Sequence, residues 1–181
     1  MEVNVILLES VKSMDREALA QAFERYAPAL YNYALRFSRD PMTADHIVGD
    51  VFAKLLDKLA CGSGPRTNLR SYLFEIAYHL IIDDVRYIGR RAPIEIVDRF
   101  HFDEQTAQAL PEKRMLYKRV MQAIYKDLNV AQRHVIVLRF LEGFSLRETA
   151  EILGKSVSLV KVTQTRAIRV LRKSLIEHVV E

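Results

Sequence analysis

Apolar residues recur every three or four positions along most of this chain, and that helical period limits its possible folds more than any other feature. One stripe runs from Leu19 to Phe37 and crosses Pro28, which should kink or restart the helix. Further stripes cover residues 47–59 and 69–81. Alternation of apolar and polar residues, the pattern of a half-buried strand, is absent from the sequence. The chain is therefore predicted to be all-α.

Two breaks divide this pattern. The stretch CGSGPRTN at 61–68 is rich in turn residues and predicts a loop, with Asn68 as a good N-cap for the next helix. Residues 91–111 lack sustained periodicity and predict a linker between two helical domains, a three- or four-helix bundle at 1–90 and a second domain at 112–181. The linker has too many apolar residues for a solvated tether, so it should lie in a groove on a partner.

The composition argues against several classes of protein. Cys61 is the one cysteine, which excludes an internal disulfide and a thiolate metal cluster. The five histidines are scattered without ligand spacing, so we expect no metal and no cofactor. No apolar run approaches the roughly 20 residues that span a bilayer. The opening MEVNVILLESVK lacks a basic segment and predicts the start of the fold rather than a signal peptide. We therefore expect a cytoplasmic protein without membrane insertion.

Cap signals in the second domain predict a helix-turn-helix. Ser145 and Glu148 have the spacing of a capping box that opens a short helix. Gly154 predicts the turn that ends it, and Ser156 caps a last helix that runs to about residue 176. In such a motif the second helix enters the major groove of DNA.

The charge of the last helix supports that prediction. Residues 154–174 contain six Lys or Arg and no Asp or Glu. A helical wheel puts its core on Val157, Val160, Gln164, Ala167, Ile168, Leu171 and Leu175. The opposite face carries Ser158, Lys161, Val162, Thr165, Arg166, Arg169, Arg172 and Lys173. Its N-terminal residues would reach base edges while later cations hold phosphates, and Val162 suits contact with a thymine methyl. A solvated amphipathic helix in a bundle is the alternative.

The basic charge is concentrated at one end of the chain. The net charge is +4, yet residues 133–174 alone carry nine basic side chains against three acids. The rest of the chain is therefore slightly acidic, and the second domain is the predicted nucleic-acid binder.

The segment RHVIVLRFLEGFSLRETAEILGKSVSLVKVTQTRAIRVLRK resembles the C-terminal promoter-binding domain of the extracytoplasmic-function (ECF) sigma factors, group 4 of the sigma-70 family. AFERYAPALYNYALR, TADHIVGDVFAKLL and LRSYLFEIAYHLIIDDVRYIGRR are similar to that family's N-terminal domain, in the same order. The resemblance implies a sigma region 2-like domain, a linker and a sigma region 4-like domain. It also implies a non-enzymatic factor that binds core RNA polymerase and directs transcription initiation at promoters. The resemblance is also compatible with an anti-sigma factor as a further partner.

The resemblance also implies three sites. The minus-35 element would be contacted by Ser156, Ser158, Lys161, Val162, Thr165, Arg166 and Arg169. The minus-10 element would be contacted by Arg66, Asn68, Arg70, Tyr72, Tyr78, His79 and Arg86. The β′ clamp helices of the polymerase would bind Asp45, His46, Gly49, Asp50 and Asp57. The β subunit of the polymerase would be a further contact of this protein.

The residue types fit these implied sites. Opening the minus-10 element needs stacking surfaces and cations, which Tyr72, Phe74 and Tyr78 and the neighbouring arginines would supply. Core positions are the alternative for Tyr72 and Phe74. An acidic patch on a DNA-binding protein should face a protein partner, because like charges repel.

Several residues depart from the family pattern. His46 and Gly49 stand where Asp and Gln are common, and Tyr78-His79 stands where Arg-Asn is usual. Thr163 and Gln164 replace a basic and an aliphatic residue in the last helix.

Two other classes of protein share some of these sequence features. A stand-alone helix-turn-helix regulator would bind DNA without polymerase docking, and would not need the acidic helix of the first domain. An enzyme acting on nucleic acid would need clustered carboxylates. The adjacent Asp83 and Asp84 point about 100° apart on a helix, so we expect no enzyme.

Overall fold

The computed structural model describes residues 2–88 and 111–177, with side chains from 6–84 and 113–176. All regular elements within these ranges are helical, which confirms the predicted all-α fold with two helical domains. The chain divides into two compact units, residues 1–97 and 98–181. The predicted linker at 91–111 lies outside the described residues except for Pro111, which begins a helix.

The first unit is built from four helices. They are α1 (Glu2–Lys12), α2 (Arg16–Ser38), α3 (Pro41–Ala60) and α4 (Leu69–Ile88). α2, α3 and α4 pack on one another, and α1 packs on α2. The centre of the unit holds Leu30, Tyr33, Leu55, Leu73 and Phe74, all fully buried. The Tyr33 and Phe74 rings lie 5.2 Å apart between centroids and join α2 to α4.

Pro28 lies inside one continuous helix of 23 residues, so the predicted restart of the helix there is wrong. Proline removes one backbone donor and crowds the preceding turn. Its own ring is exposed, while Tyr26 and Leu30 on either side are buried in the core. Burial on both sides of the proline therefore outweighs the local cost.

A tight cap joins α2 to α3. Arg39 adopts a left-handed conformation (φ 58°) and ends α2. The Asp40 carboxylate accepts hydrogen bonds from the Thr43 backbone N–H (2.8 Å) and hydroxyl (2.7 Å) and so caps α3. These two bonds lower the pKa of Asp40, because they favour the charged carboxylate. The cap fixes the start of α3, whose outer face is a candidate site.

The second unit contains the predicted helix-turn-helix. Its helices are α5 (Pro111–Asp127), α6 (Val130–Ile136), α7 (Leu146–Leu153) and α8 (Val157–Glu177). α6 continues into a π-helical turn at Val137–Leu141. A core cluster of Met121, Ile124, Leu128, Ile136 and Ala167 joins α5, α6 and α8. Asn129 and Gln132 form the capping box that their spacing predicts.

Arg133 is a structural residue of this unit. Its guanidinium donates to the backbone carbonyls of Ile124 (3.3 Å), Tyr125 (2.8 Å) and Leu128 (3.2 Å). These carbonyls lie at the C-terminal end of α5, where helical partners run out. Arg133 therefore holds the end of α5 in place, and its positive charge remains part of the basic C-terminal region.

Candidate nucleic-acid interface

The turn between α7 and α8 has the caps that the sequence predicts. The Ser145 hydroxyl accepts from the Glu148 N–H (3.2 Å), and the Glu148 carboxylate accepts from the Ser145 N–H (2.8 Å). Gly154 ends α7 in the left-handed region (φ 60°). The Lys155 N–H then donates to the carbonyl of Ala150 (2.9 Å), so the carbonyls at the end of α7 are satisfied.

Ser156 starts α8. Its hydroxyl oxygen accepts from the Leu159 N–H (3.2 Å), so this predicted DNA contact also serves as an N-cap. The angle between α7 and α8 is therefore set by bonds within the turn.

The eight polar-face residues of α8 are all exposed, as the wheel predicts. On the opposite side, Val160 and Ala167 are buried, and Gln164 and the later aliphatic residues are half-buried. Val157 differs from the prediction, because it is 45% exposed rather than core. Helical side chains lean towards the N-terminus, so at the first position of a helix the side chain has no preceding turn to pack on.

Arg139 ties the π-helical turn to α8. Its Nε donates to Oε1 of Gln164 (3.0 Å), and its Nη1 donates to the carbonyl of Phe144. Arg133 and Arg139 thus keep the positive charge counted from the sequence and also bond within the unit. Each makes internal bonds to residues that sequence spacing did not indicate.

Thr165 has a more restricted role than its exposure suggests. Its hydroxyl donates to the carbonyl of Lys161 (3.0 Å) one turn earlier. With that proton used, the oxygen can still accept a hydrogen bond from a base or a water molecule.

The predicted minus-10 residues do not share one surface. Tyr72 and His79 are seven residues apart and so lie on the outer face of α4. The side chain of Arg86 lies outside the described residues. Tyr72 is half-buried, and this burial, with the charge of Glu75, raises the pKa of its phenol. Tyr78 is on the flank of the helix, with its ring 5.4 Å from that of His79.

Arg70 lies at the other side of α4, with its guanidinium 5.5 Å from the ring centroid of Phe74. Phe74 is fully buried, so the interpretation of Phe74 as a stacking surface for bases is wrong. In the preceding loop Arg66 is exposed, and Asn68 accepts from the Ser71 N–H (3.1 Å) as the predicted cap.

The five predicted docking residues on α3 are all exposed, and Ile47, Val51 and Leu55 are buried on the opposite side. Phe52 is half-buried against Phe23, with ring centroids 4.9 Å apart. Sequence reasoning missed Met42 as part of this face, where it is 66% exposed.

Met42, Gly49 and the partly exposed Leu56 are seven residues apart and so line up on the outer side of α3. That seven-residue spacing was the signal available in the sequence. The outer face of α3 is thus acidic at its edges and apolar or small along its middle.

Two further properties of the described ranges bear on function. No helix within 2–88 or 111–177 is long and apolar enough to cross a bilayer. No group of three or more His, Cys, Asp or Glu among these residues could hold a metal ion.

Comparisons with known proteins agree with this architecture. Residues 22–91 match the Sigma-70 region 2 family, and residues 126–173 match Sigma-70, region 4. The ECF RNA polymerase sigma factor SigX of Bacillus subtilis is 30% identical over 167 residues, which cover 88% of this chain and 84% of SigX. The chain belongs to the ECF sigma factors of the sigma-70 family. RNA polymerase sigma factor YlaC of the same organism is 28% identical over 167 residues, which cover 88% of this chain and 93% of YlaC.

Two solved structures share this fold. The chain is similar to the sigma factor RpoE in its complex with the anti-sigma factor NepR from Bartonella quintana, with a TM-score of 0.70 and 25% identity over 86% of this chain and 95% of that one. It is also similar to CnrH in complex with the cytosolic domain of CnrY, with a TM-score of 0.71 and 26% identity. That similarity covers 96% of this chain and 97% of CnrH.

This ECF sigma factor therefore directs transcription initiation at promoters, with core RNA polymerase and promoter DNA as its partners. It is a regulator rather than an enzyme. The stand-alone regulator considered above is not favoured, because the region 2 match covers a unit that such a protein would lack.

Proposed function

We propose that the two units of this sigma factor divide promoter recognition and polymerase docking between three surfaces. The domain at 112–181 reads the minus-35 element through the exposed face of α8. The observation that carries this assignment is the fully exposed, acid-free polar face of α8, which follows a turn capped at both ends. A helix face whose charged side chains are all positive suits phosphates, and a capped turn suits a helix that must keep its register in a groove.

The domain at 1–90 contacts the minus-10 element through the loop at 61–68 and the outer face of α4. Tyr72 and His79 offer aromatic surfaces there, and Arg66 and Arg86 supply charge to steer the single strand. Arg70 contributes from the start of the helix, where it lies beside the Phe74 ring.

The outer face of α3 docks on the polymerase. Its carboxylates, Asp45, Asp50 and Asp57, are exposed around an apolar middle, which suits a protein helix with basic and apolar side chains. Since core polymerase acts on chromosomal DNA, the protein works in the cytoplasm. The segment at 91–111 links the two domains on the polymerase surface. Because the similar sigma factor RpoE has been solved in complex with the anti-sigma factor NepR, an anti-sigma factor is a further proposed partner.

Two arginine substitutions on α8 test the minus-35 assignment. Arg166 is exposed in the middle of the helix, and Arg172 is exposed two turns further on. Arg166→Ala should weaken transcription from promoters with a matching minus-35 element by about 1–3 kcal/mol, because a base contact is lost. Arg172→Ala should weaken binding about equally for all sequences and lower the salt slope by about one, because a phosphate contact is lost.

Run-off transcription with core polymerase measures both effects, on promoters with intact and scrambled minus-35 elements. The same transcript yield from wild type and Arg166→Ala on every promoter would contradict the assignment of α8.

A further inference from the structure

Two aliphatic side chains interrupt the polar face of α8 in its first two turns. Leu159 is 49% exposed and Val162 is 45% exposed. Their neighbours on that face, Lys161, Arg166 and Arg169, are exposed and charged. Aliphatic area among cations offers no benefit in water, but it can be buried when the helix binds a partner. The sequence wheel singled out Val162 only.

The two side chains form a strip with Arg166. Leu159 and Val162 are three positions apart and lie about 60° from each other around the helix axis. Arg166 follows one turn later and lies within about 40° of both. Residues so spaced are neighbours on the helix surface. The strip lies in the N-terminal half of α8, which is the half that reaches base edges when a recognition helix enters the major groove.

Only one group in the major groove matches such a strip. Thymine presents a methyl group there, whereas the other bases present hydrogen-bond donors and acceptors. Covering those polar groups with leucine or valine would leave them unsatisfied, which is costly. The surrounding cations favour DNA over an apolar protein groove, because they complement phosphates.

We propose that Leu159 and Val162 read the 5-methyl groups of thymines in the minus-35 element. The inference rests on the proposed function of α8 and names the base that this part of the helix selects. A·T pairs whose thymine methyl faces Leu159 or Val162 are therefore favoured in the element.

Replacing thymine by uracil tests the proposal, because it removes the methyl and keeps every hydrogen-bonding group. Holoenzyme reconstituted from the full chain and core polymerase first selects its minus-35 element from a randomised duplex pool. Each thymine of the selected element is then replaced by uracil, and the dissociation constant of the holoenzyme is measured.

For wild type, one or two replacements should each weaken binding roughly fourfold. This factor corresponds to the free energy of burying one methylene-sized group. Leu159→Ala or Val162→Ala should weaken binding to the thymine duplex by a similar factor. Each variant should then be insensitive to uracil at the position that its side chain contacted.

Ile176→Ala is the matched control, since Ile176 is also an exposed aliphatic residue of α8 (63%) but lies in its last turn. It should respond to uracil as wild type does. Equal wild-type affinity for thymine and uracil at every position would overturn the proposal. So would a Leu159→Ala variant that binds DNA normally and loses only a protein partner.

Arg166→Ala separates this outcome from failure of the proposed function. If Arg166→Ala weakens minus-35 binding while uracil has no effect, α8 reads the element without Leu159 and Val162. If neither Arg166→Ala nor Leu159→Ala changes binding, α8 is not the minus-35 reader and both proposals are wrong.

Discussion

At the scale of single residues, His134 is a buried side chain whose protonation opposes folding. It lies in α6 and is 1% exposed. Burial, with a smaller contribution from the charge of Arg133, lowers its pKa from 6.5 to about 3. The imidazole is therefore neutral in the folded protein throughout the physiological range.

The pKa of His134 predicts a loss of stability in mild acid. Below pH 6.5 the unfolded chain binds a proton at this site and the folded chain does not, until pH falls to about 3. The free energy of unfolding should therefore fall with decreasing pH over this window, by up to about 1.4 kcal/mol per pH unit. Urea unfolding followed by circular dichroism at pH 7 and pH 5.5 measures the change.

The His134→Leu variant isolates this contribution from those of other titrating groups. It should lose about 1 kcal/mol less than wild type between the two pH values, whatever its absolute stability. A His134→Leu variant with the same pH dependence as wild type would contradict the prediction.

At the scale of elements, Gly49 is a residue of α3 that nothing in the helix geometry requires to be glycine. It is exposed, and a Cβ built on it would meet no atom within 4 Å. Its φ angle is not positive, in contrast to that of Gly154 at 60°. Glycine lowers helix stability there without any conformational need for it.

Gly49→Ala should therefore stabilise the first unit by up to about 1 kcal/mol. Gly154→Ala is the opposing control, because alanine in the left-handed region should destabilise the turn by roughly 1–2 kcal/mol. Thermal unfolding of both variants gives the signs. A lower melting temperature for Gly49→Ala would show that α3 depends on glycine at this position.

At the scale of the whole molecule, the proposed polymerase docking and the proposed minus-35 reading lie in different units and should fail separately. Asp50→Arg places a cation in the proposed docking face of α3, so co-elution with core polymerase should be lost. Because the Asp50 side chain is exposed, the melting temperature should stay close to that of wild type. His46→Asp should strengthen docking by adding a carboxylate to the same face.

Glu24→Arg is the matched control for Asp50→Arg, since it makes the same charge change at an exposed position of α2. It should co-elute normally. A folded Asp50→Arg protein that still co-elutes with core polymerase would rule out α3 as the docking surface.

The local sequence determined which segments are helical and where most of them begin and end. Helical hydrogen bonds join residues four apart, and the caps at Asn129, Ser145, Gly154 and Ser156 act within five residues of their partners. The exposed faces of α3 and α8 followed from the same short periods. These features need no information from distant parts of the chain.

Only the tertiary structure decided what individual side chains do within that frame. Pro28 stays inside α2 because the core holds the helix on both sides of it. Phe74 is buried beside Tyr33, a residue 41 positions away in sequence, while Leu159 is left exposed. Arg139 bonds to Gln164 across 25 positions and so joins the π-helical turn to α8. Such pairings depend on which surfaces meet when helices pack, and a helical period defines the faces of a helix without specifying their partners.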